Sequence, residues 1–155
     1  MPKNPPDKYP RITPSFAYKD SNAAIEWLEK AFGFQTRMKI PGPGGVIVHA
    51  ELEVQDSLIM LGPSQACHEH FVSPQETGGK VTQGTYIYVD DVDAHFENAK
   101  AAGAKILSEP EDMFYGDRKY EVFDLEGHLW TFTQHVRDVS DEEMMAALEQ
   151  MDESS

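Results

Sequence analysis

His49 and Glu51 have the residue types and spacing for acid–base work or for holding a metal. On an extended segment, positions i and i+2 share one face. A histidine beside a carboxylate can act as a general base with its orienter, or as two donors to a divalent cation. Two donors fall short of the three protein ligands usual at a catalytic metal, and a polar pair lining a pocket is the plainer outcome. The run Cys67-His68-Glu69-His70 also carries chelating side chains, but it has no matching second cluster and reads as a polar loop. Tyr86, Tyr88 and Tyr120 offer flat rings with hydroxyl tips. Arg118 can hold a carboxylate, or pair with Glu51 or Asp117. No Gly-x-Ser-x-Gly, no phosphate loop and no cysteine in a catalytic setting stands out.

Composition limits what these groups can serve. The chain has 155 residues and a net charge of −14, from 13 basic and 27 acidic side chains. That balance argues against nucleic acid, which needs a basic surface to displace phosphate counterions. It favours a cationic ligand, although acidity also simply keeps a protein in solution. No apolar run approaches the roughly 20 residues of a membrane span, and residues 1–11 are proline-rich and polar, unlike a signal peptide. One cysteine permits no internal disulfide and suits a reducing compartment, so a cytoplasmic protein is expected.

The elements that must position these side chains follow from periodicity. Residues 12–18 read as a strand, and Asp20 or Ser21 can cap a helix over 22–32, whose apolar face is Ala24, Ile25, Leu28, Ala31 and Phe32. Gly33 stops it. Residues 34–40 and 46–54 are strands around a proline–glycine turn. The second alternates cleanly, with Val48, Ala50, Leu52 and Val54 against His49, Glu51 and Glu53. Gln55-Asp56 turns the chain into a strand at 57–61. The first unit is therefore βαβββ over 12–62, after an extended lead at 1–11.

Shifting the sequence by about 71 positions repeats the pattern: 12–20 falls on 83–91, 22–32 on 93–103, Gly45 on Gly116, and 57–61 on 128–132. A connector at 63–83 thus joins a second unit over 84–136. Residues 137–155 add a helix whose stripe is Met144, Ala147, Leu148 and Met151, with Ser140 and Glu143 at capping-box spacing. Such a stripe normally docks on its own subunit or a partner.

Two tandem βαβββ units, with Asp124-Leu125-Glu126-Gly127-His128-Leu129-Trp130 in the last hairpin, resemble the vicinal-oxygen-chelate superfamily. That group includes glyoxalase I, the bleomycin-resistance proteins and the extradiol dioxygenases. The run from Met113 to Arg118 is similar to a bacterial glyoxalase-like subgroup. The resemblance implies an α+β fold, a cup-shaped mixed sheet with helices outside. It also implies a homodimer with its ligand pocket at or near the shared interface. In metal-dependent relatives each unit supplies one ligand from its first strand and one from its last. Carried over by aligning the helix-stop glycines and hairpin turns, these positions are Thr13, Met60, Gly84 and Thr131. They are not a metal-ligand set, so no cofactor is expected.

If those four positions face the cup, period-2 alternation adds Leu58, Tyr86, Tyr88 and Thr133, and the hairpin partners add His49, Glu51, Glu53, Arg118, Tyr120 and Val122. The opposite face, with Phe16, Leu52, Leu61, Trp130 and Phe132, should pack beneath the helices. Aromatic rings beside carboxylates favour an aromatic or cationic small molecule. The expected function is a metal-free protein that sequesters or carries such a compound. The alternative is a metal-dependent lyase, isomerase or dioxygenase with a displaced site at His49 and Glu51.

Overall fold

The two main helices begin and end as their sequences require. Asp20 accepts a hydrogen bond from the Ala23 amide and starts α1 (Ser21–Phe32), and Gly33 closes it in the left-handed region at φ 73°. Asp91 caps α2 (Val92–Ala101) in the same way through the Ala94 amide. The computed structural model describes residues 1–155.

Around these helices lie β1 (Ser15–Tyr18), β2 (Gln35–Pro41), β3 (Ile47–Val54), β4 (Ser57–Pro63), β5 (Gly84–Tyr88), β6 (Lys105–Asp112), β7 (Asp117–Phe123) and β8 (Leu129–His135). They form two four-stranded mixed sheets, ordered β1-β4-β3-β2 and β5-β8-β7-β6. In each, the first strand runs parallel to the last and the rest is antiparallel. The doubled α+β architecture is thus the one the repeat implies, in two sheets rather than one continuous sheet.

Both helices cover the same side. Ile25, Leu28 and Phe32 of α1 meet Phe16, Leu52 and Leu61; Val92 and Phe96 of α2 meet Tyr120, Val122 and Phe132; all belong to one cluster of 20 buried residues. The units therefore share a core. The α1 end is tied to α2, because Asn98 donates to the Lys30 and Ala31 carbonyls and a His95 ring nitrogen lies 3.0 Å from the Phe32 carbonyl.

No ladder joins edge strands β1 and β5. Side chains close that seam instead. Phe16 stacks on Trp130 at 4.7 Å, and a His128 ring nitrogen lies 2.8 Å from the Ala17 carbonyl. Tyr18 donates to Asp124 at 2.6 Å, and Glu126 accepts from the Lys19 and Asp20 amides at 2.7 and 3.0 Å.

Three features depart from the sequence pattern. The first strand starts at Ser15, not at 12; Pro14 has no amide to donate, although its carbonyl still accepts from Met60 at 2.9 Å. The C-terminal helix α3 (Asp141–Glu153) forms with Ser140 as its cap, but none of its residues is buried, and Leu148 and Met151 stay exposed.

The third departure concerns β7. A constant offset of 71 puts Arg118, Tyr120 and Val122 on the open face; the structure buries Tyr120 and Val122 completely under α2. The cause is the turn. Val54 pairs with Ser57 across a two-residue turn, whereas Phe123 pairs with Leu129 across residues 124–128. An odd turn replaces an even one, and one residue of slip exchanges the two faces of a strand. Asp117, Lys119 and Glu121 take the open face instead.

Candidate functional site

The open face is the side of both sheets turned away from α1 and α2. In the first unit it carries His49, Glu51 and Glu53 from β3 and Met60 from β4, with Glu51 directly opposite Met60 as the two-residue turn requires. Glu53 is exposed and Met60 half-buried. Glu51 is only 2% exposed although it points out of the core. The Tyr9 hydroxyl lies 2.9 and 3.2 Å from its two oxygens, Arg37 lies 3.6 Å away, and a His49 ring nitrogen 3.2 Å. His49 and Glu51 do meet, but Glu51 is already committed to two further partners.

In the second unit the matching centre is Asp117. It is 4% exposed and accepts from the hydroxyls of Tyr86 at 2.8 Å and Tyr88 at 3.0 Å, while a His135 ring nitrogen lies 2.8 Å from its other oxygen. Thr131 lies across from Tyr86, and Thr133 across from Tyr88. The Tyr86 and Tyr88 rings stand edge to face, 5.7 Å apart at 69°, and remain 45% and 56% exposed. The hydroxyls are therefore fixed while the ring faces stay open.

These contacts set the protonation states. Partial burial alone would raise the Asp117 carboxyl, but hydrogen bonds from His135, Tyr86 and Tyr88 outweigh it and hold the group below the usual carboxylate range. Hydrogen bonds to Asp117 and Asp138 raise the His135 imidazole. Burial, then the bond to Asp117, pushes Tyr86 up; for Tyr88 the bond to Asp117 leads.

Sequence reasoning misses Asp117 and His135 as centres, and Tyr9 and Arg37 as their counterparts. The run from Met113 to Arg118 holds the usable signal. Gly116 has φ +98°, and a Cβ there would fall 2.1 Å from the Arg137 carbonyl. Its own carbonyl accepts from Val136 and Arg137. Only glycine permits this bend, and the bend delivers Asp117 to the open face. Arg118 turns to the other side, to Asp93 at 2.9 Å and Asp112 at 3.1 Å, rather than to Glu51 or Asp117. Tyr120 lies in the core with its hydroxyl 2.6 Å from a His95 ring nitrogen.

A groove of about 350 Å³ runs along the seam beside the tyrosines, lined by Ile12, Pro14, Leu58, Tyr86 and Tyr88. A larger hollow of about 460 Å³ lies around Trp27, Lys105 and Gly127, away from these side chains. In the exposed Cys67 loop His70 lies 3.7 Å from Glu69, and its amide donates to a His68 ring nitrogen at 3.2 Å.

Thr13, Met60, Gly84 and Thr131 offer two hydroxyls, a thioether and no side chain at all. A divalent metal wants imidazole or carboxylate donors, so these four positions do not fit one. Nowhere do three or more His, Cys, Asp or Glu side chains gather as a metal-binding group. No helix is long and apolar enough to cross a membrane.

A fold of two βαβββ units with an open face of this kind defines a family, and the model of the Glyoxalase/Bleomycin resistance protein/Dioxygenase superfamily matches residues 11–132. The chain belongs to that superfamily. An uncharacterized protein of Mycobacterium bovis is 35% identical over 141 residues, covering 90% of this chain and 92% of that one. The crystal structure of TioX from Micromonospora sp. ML1 is 34% identical, with a TM-score of 0.66 over 84% of this chain and all of TioX (100%). TnmS3, an antibiotic binding protein from Streptomyces sp. CB03234, shares the fold at 18% identity, with a TM-score of 0.61 over 78% of this chain and 91% of that one.

Proposed function

We propose that the protein binds a cationic or aromatic small molecule on its open face without a metal, sequestering or carrying it, and that it does so as a homodimer. The observation that carries this reading is the Tyr86–Tyr88 corner. Two exposed rings stand edge to face beside a groove, with both hydroxyls tied to one buried carboxylate. Ring faces oriented in this way attract an organic cation by about 0.5–2 kcal/mol, and Asp117 adds negative charge behind them. TnmS3, described as an antibiotic binding protein, supports the capacity of the fold for small molecules. The poor donor set at Thr13, Met60, Gly84 and Thr131 supports the metal-free part. The reading as a displaced metal enzyme is weakened because Glu51 already serves Tyr9 and Arg37.

Calorimetric titration with a panel of cationic aromatic compounds tests the proposal. At least one should bind, and Asp117→Asn should weaken it about tenfold, the factor given by roughly 1.4 kcal/mol. Binding of no compound, or binding indifferent to Asp117, counts against it. Stoichiometric metal in the purified protein that disappears on His49→Ala would favour the enzyme instead.

A further inference from the structure

The open face of the first unit is crossed by the chain's own residues 1–11. Tyr9 anchors that crossing. Its hydroxyl reaches both oxygens of Glu51, at 2.9 and 3.2 Å. The Arg37 guanidinium lies over its ring, 4.3 Å from the centroid, and also donates to the Lys8 carbonyl at 3.0 Å. No sheet ladder includes residues 1–14. Within the strap most side chains are exposed, while Tyr9 is half-buried.

We propose that the corner formed by Glu51 and Arg37 is a binding site for a phenolic ring, and that Tyr9 fills it in cis as a stand-in for the ligand. Glu51 is the built part of the site, a carboxylate 2% exposed with both oxygens directed at the phenol. A buried charge of this kind requires hydrogen-bonded partners, and beside His49 at 3.2 Å and Arg37 at 3.6 Å a hydroxyl donor completes the set around Glu51. The planar cation of Arg37 demands a ring face. A carboxylate or phosphate ligand would meet Glu51 and be repelled. The ligand class is therefore an aromatic compound bearing a hydroxyl donor, uncharged or cationic.

Tyr9 competes with such a compound on favourable terms. A group tethered by a short flexible segment acts at an effective concentration on the order of millimolar. A free phenol must displace it, so the intact chain binds phenols more weakly than the corner itself allows. The strap thereby sets a threshold for uptake into this half of the face.

The inference rests on the reading of the open face as ligand-binding, yet it concerns the other unit from Tyr86, Tyr88 and Asp117. The test uses p-cresol as probe and toluene as the control without a hydroxyl, titrated by NMR into the full chain. Tyr9→Ala should bind p-cresol at least about tenfold tighter than wild type, as expected when a tethered competitor is removed. Adding Glu51→Gln should cancel most of that gain, and toluene should show no comparable gain. Thermal unfolding checks that the variants fold. If Tyr9→Ala does not, Tyr9→Phe decides, because it keeps the ring and loses only the hydroxyl, and it should still tighten p-cresol several-fold. No gain with the folded variant, an equal gain for toluene, or a gain that survives Glu51→Gln overturns the proposal. A p-cresol gain without any hit from the cationic panel would retain this site and remove the Tyr86–Tyr88 reading; the reverse result would remove this site alone.

Discussion

Replacing Asp124 by asparagine tests how one carboxylate holds the two units together. One oxygen accepts the amides of Glu126, Gly127 and His128 at 3.0, 3.0 and 3.1 Å; the other accepts the Tyr18 hydroxyl at 2.6 Å and the Trp130 indole N–H at 3.0 Å. Tyr18 and Trp130 are both fully buried. An asparagine has one oxygen for these two sets. If it stays over the three amides, its NH2 faces the indole, which can only donate. The Tyr18 hydroxyl can turn and accept, but the indole is orphaned at about 1–3 kcal/mol. Loss of charge weakens the three amide bonds further, so the total is about 3–5 kcal/mol, set against a domain stability of roughly 5–15 kcal/mol. Urea unfolding at neutral pH, followed by tryptophan fluorescence, measures it. Trp130→Phe removes the orphaned donor, so in the double variant the two losses should fall short of their sum by about 1–2 kcal/mol. A single-variant loss below about 0.5 kcal/mol, or strict additivity, refutes the reasoning.

Two further outcomes follow from the second unit. The raised His135 imidazole contributes stability fully below its unfolded value of about 6.5, and loses it as pH rises through the folded value; the lowered Asp117 carboxyl contributes above about 3.9 and loses it on acidification, so their pair is strongest between about pH 4 and 6.5. Proton NMR should show the His135 midpoint falling in Asp117→Asn, and an unmoved midpoint would sink the assignment. Gly116→Ala places a methyl 2.1 Å from the Arg137 carbonyl at φ +98°, which should remove about 2–4 kcal/mol of stability; a melting temperature equal to wild type would contradict the need for glycine.

Much of the fold was legible because it rests on local signals. Asp20 capped α1 as its type suggested, the alternation from Val46 to Val54 gave β3, and the two-residue turn at Gln55-Asp56 set Glu51 opposite Met60. The open face was legible only on strands whose turns were read with the right parity. Tyr86 and Tyr88 lie on it, whereas Tyr120 and Arg118 do not, because residues 124–128 form an odd turn that Asp124 holds through three amides. Periodicity within a strand cannot reveal the length of the turn beyond it. The role of Tyr9 was hidden for a different reason. It depends on a contact 42 positions away in sequence, made by a segment with no periodic pattern of its own.

The seam between β1 and β5 bears on how the chain assembles. Each sheet pairs strands from within its own unit, the parallel pairs Ser15–Met60 and Gly84–Leu129 being the most distant in sequence. The seam instead joins Tyr18 to Asp124, Lys19 to Glu126 and Ala17 to His128, at separations of 106, 107 and 111 residues. Closing a longer loop carries more entropy, though only about 0.6 kcal/mol per doubling of length. Contacts that close loops of this length are expected to form after the local pairings they connect. Changes at the seam then act mainly on the rate of unfolding rather than of folding. The hairpin tip of the second unit thus adds to the shared core a set of seam contacts whose loss should shorten the lifetime of the joined molecule.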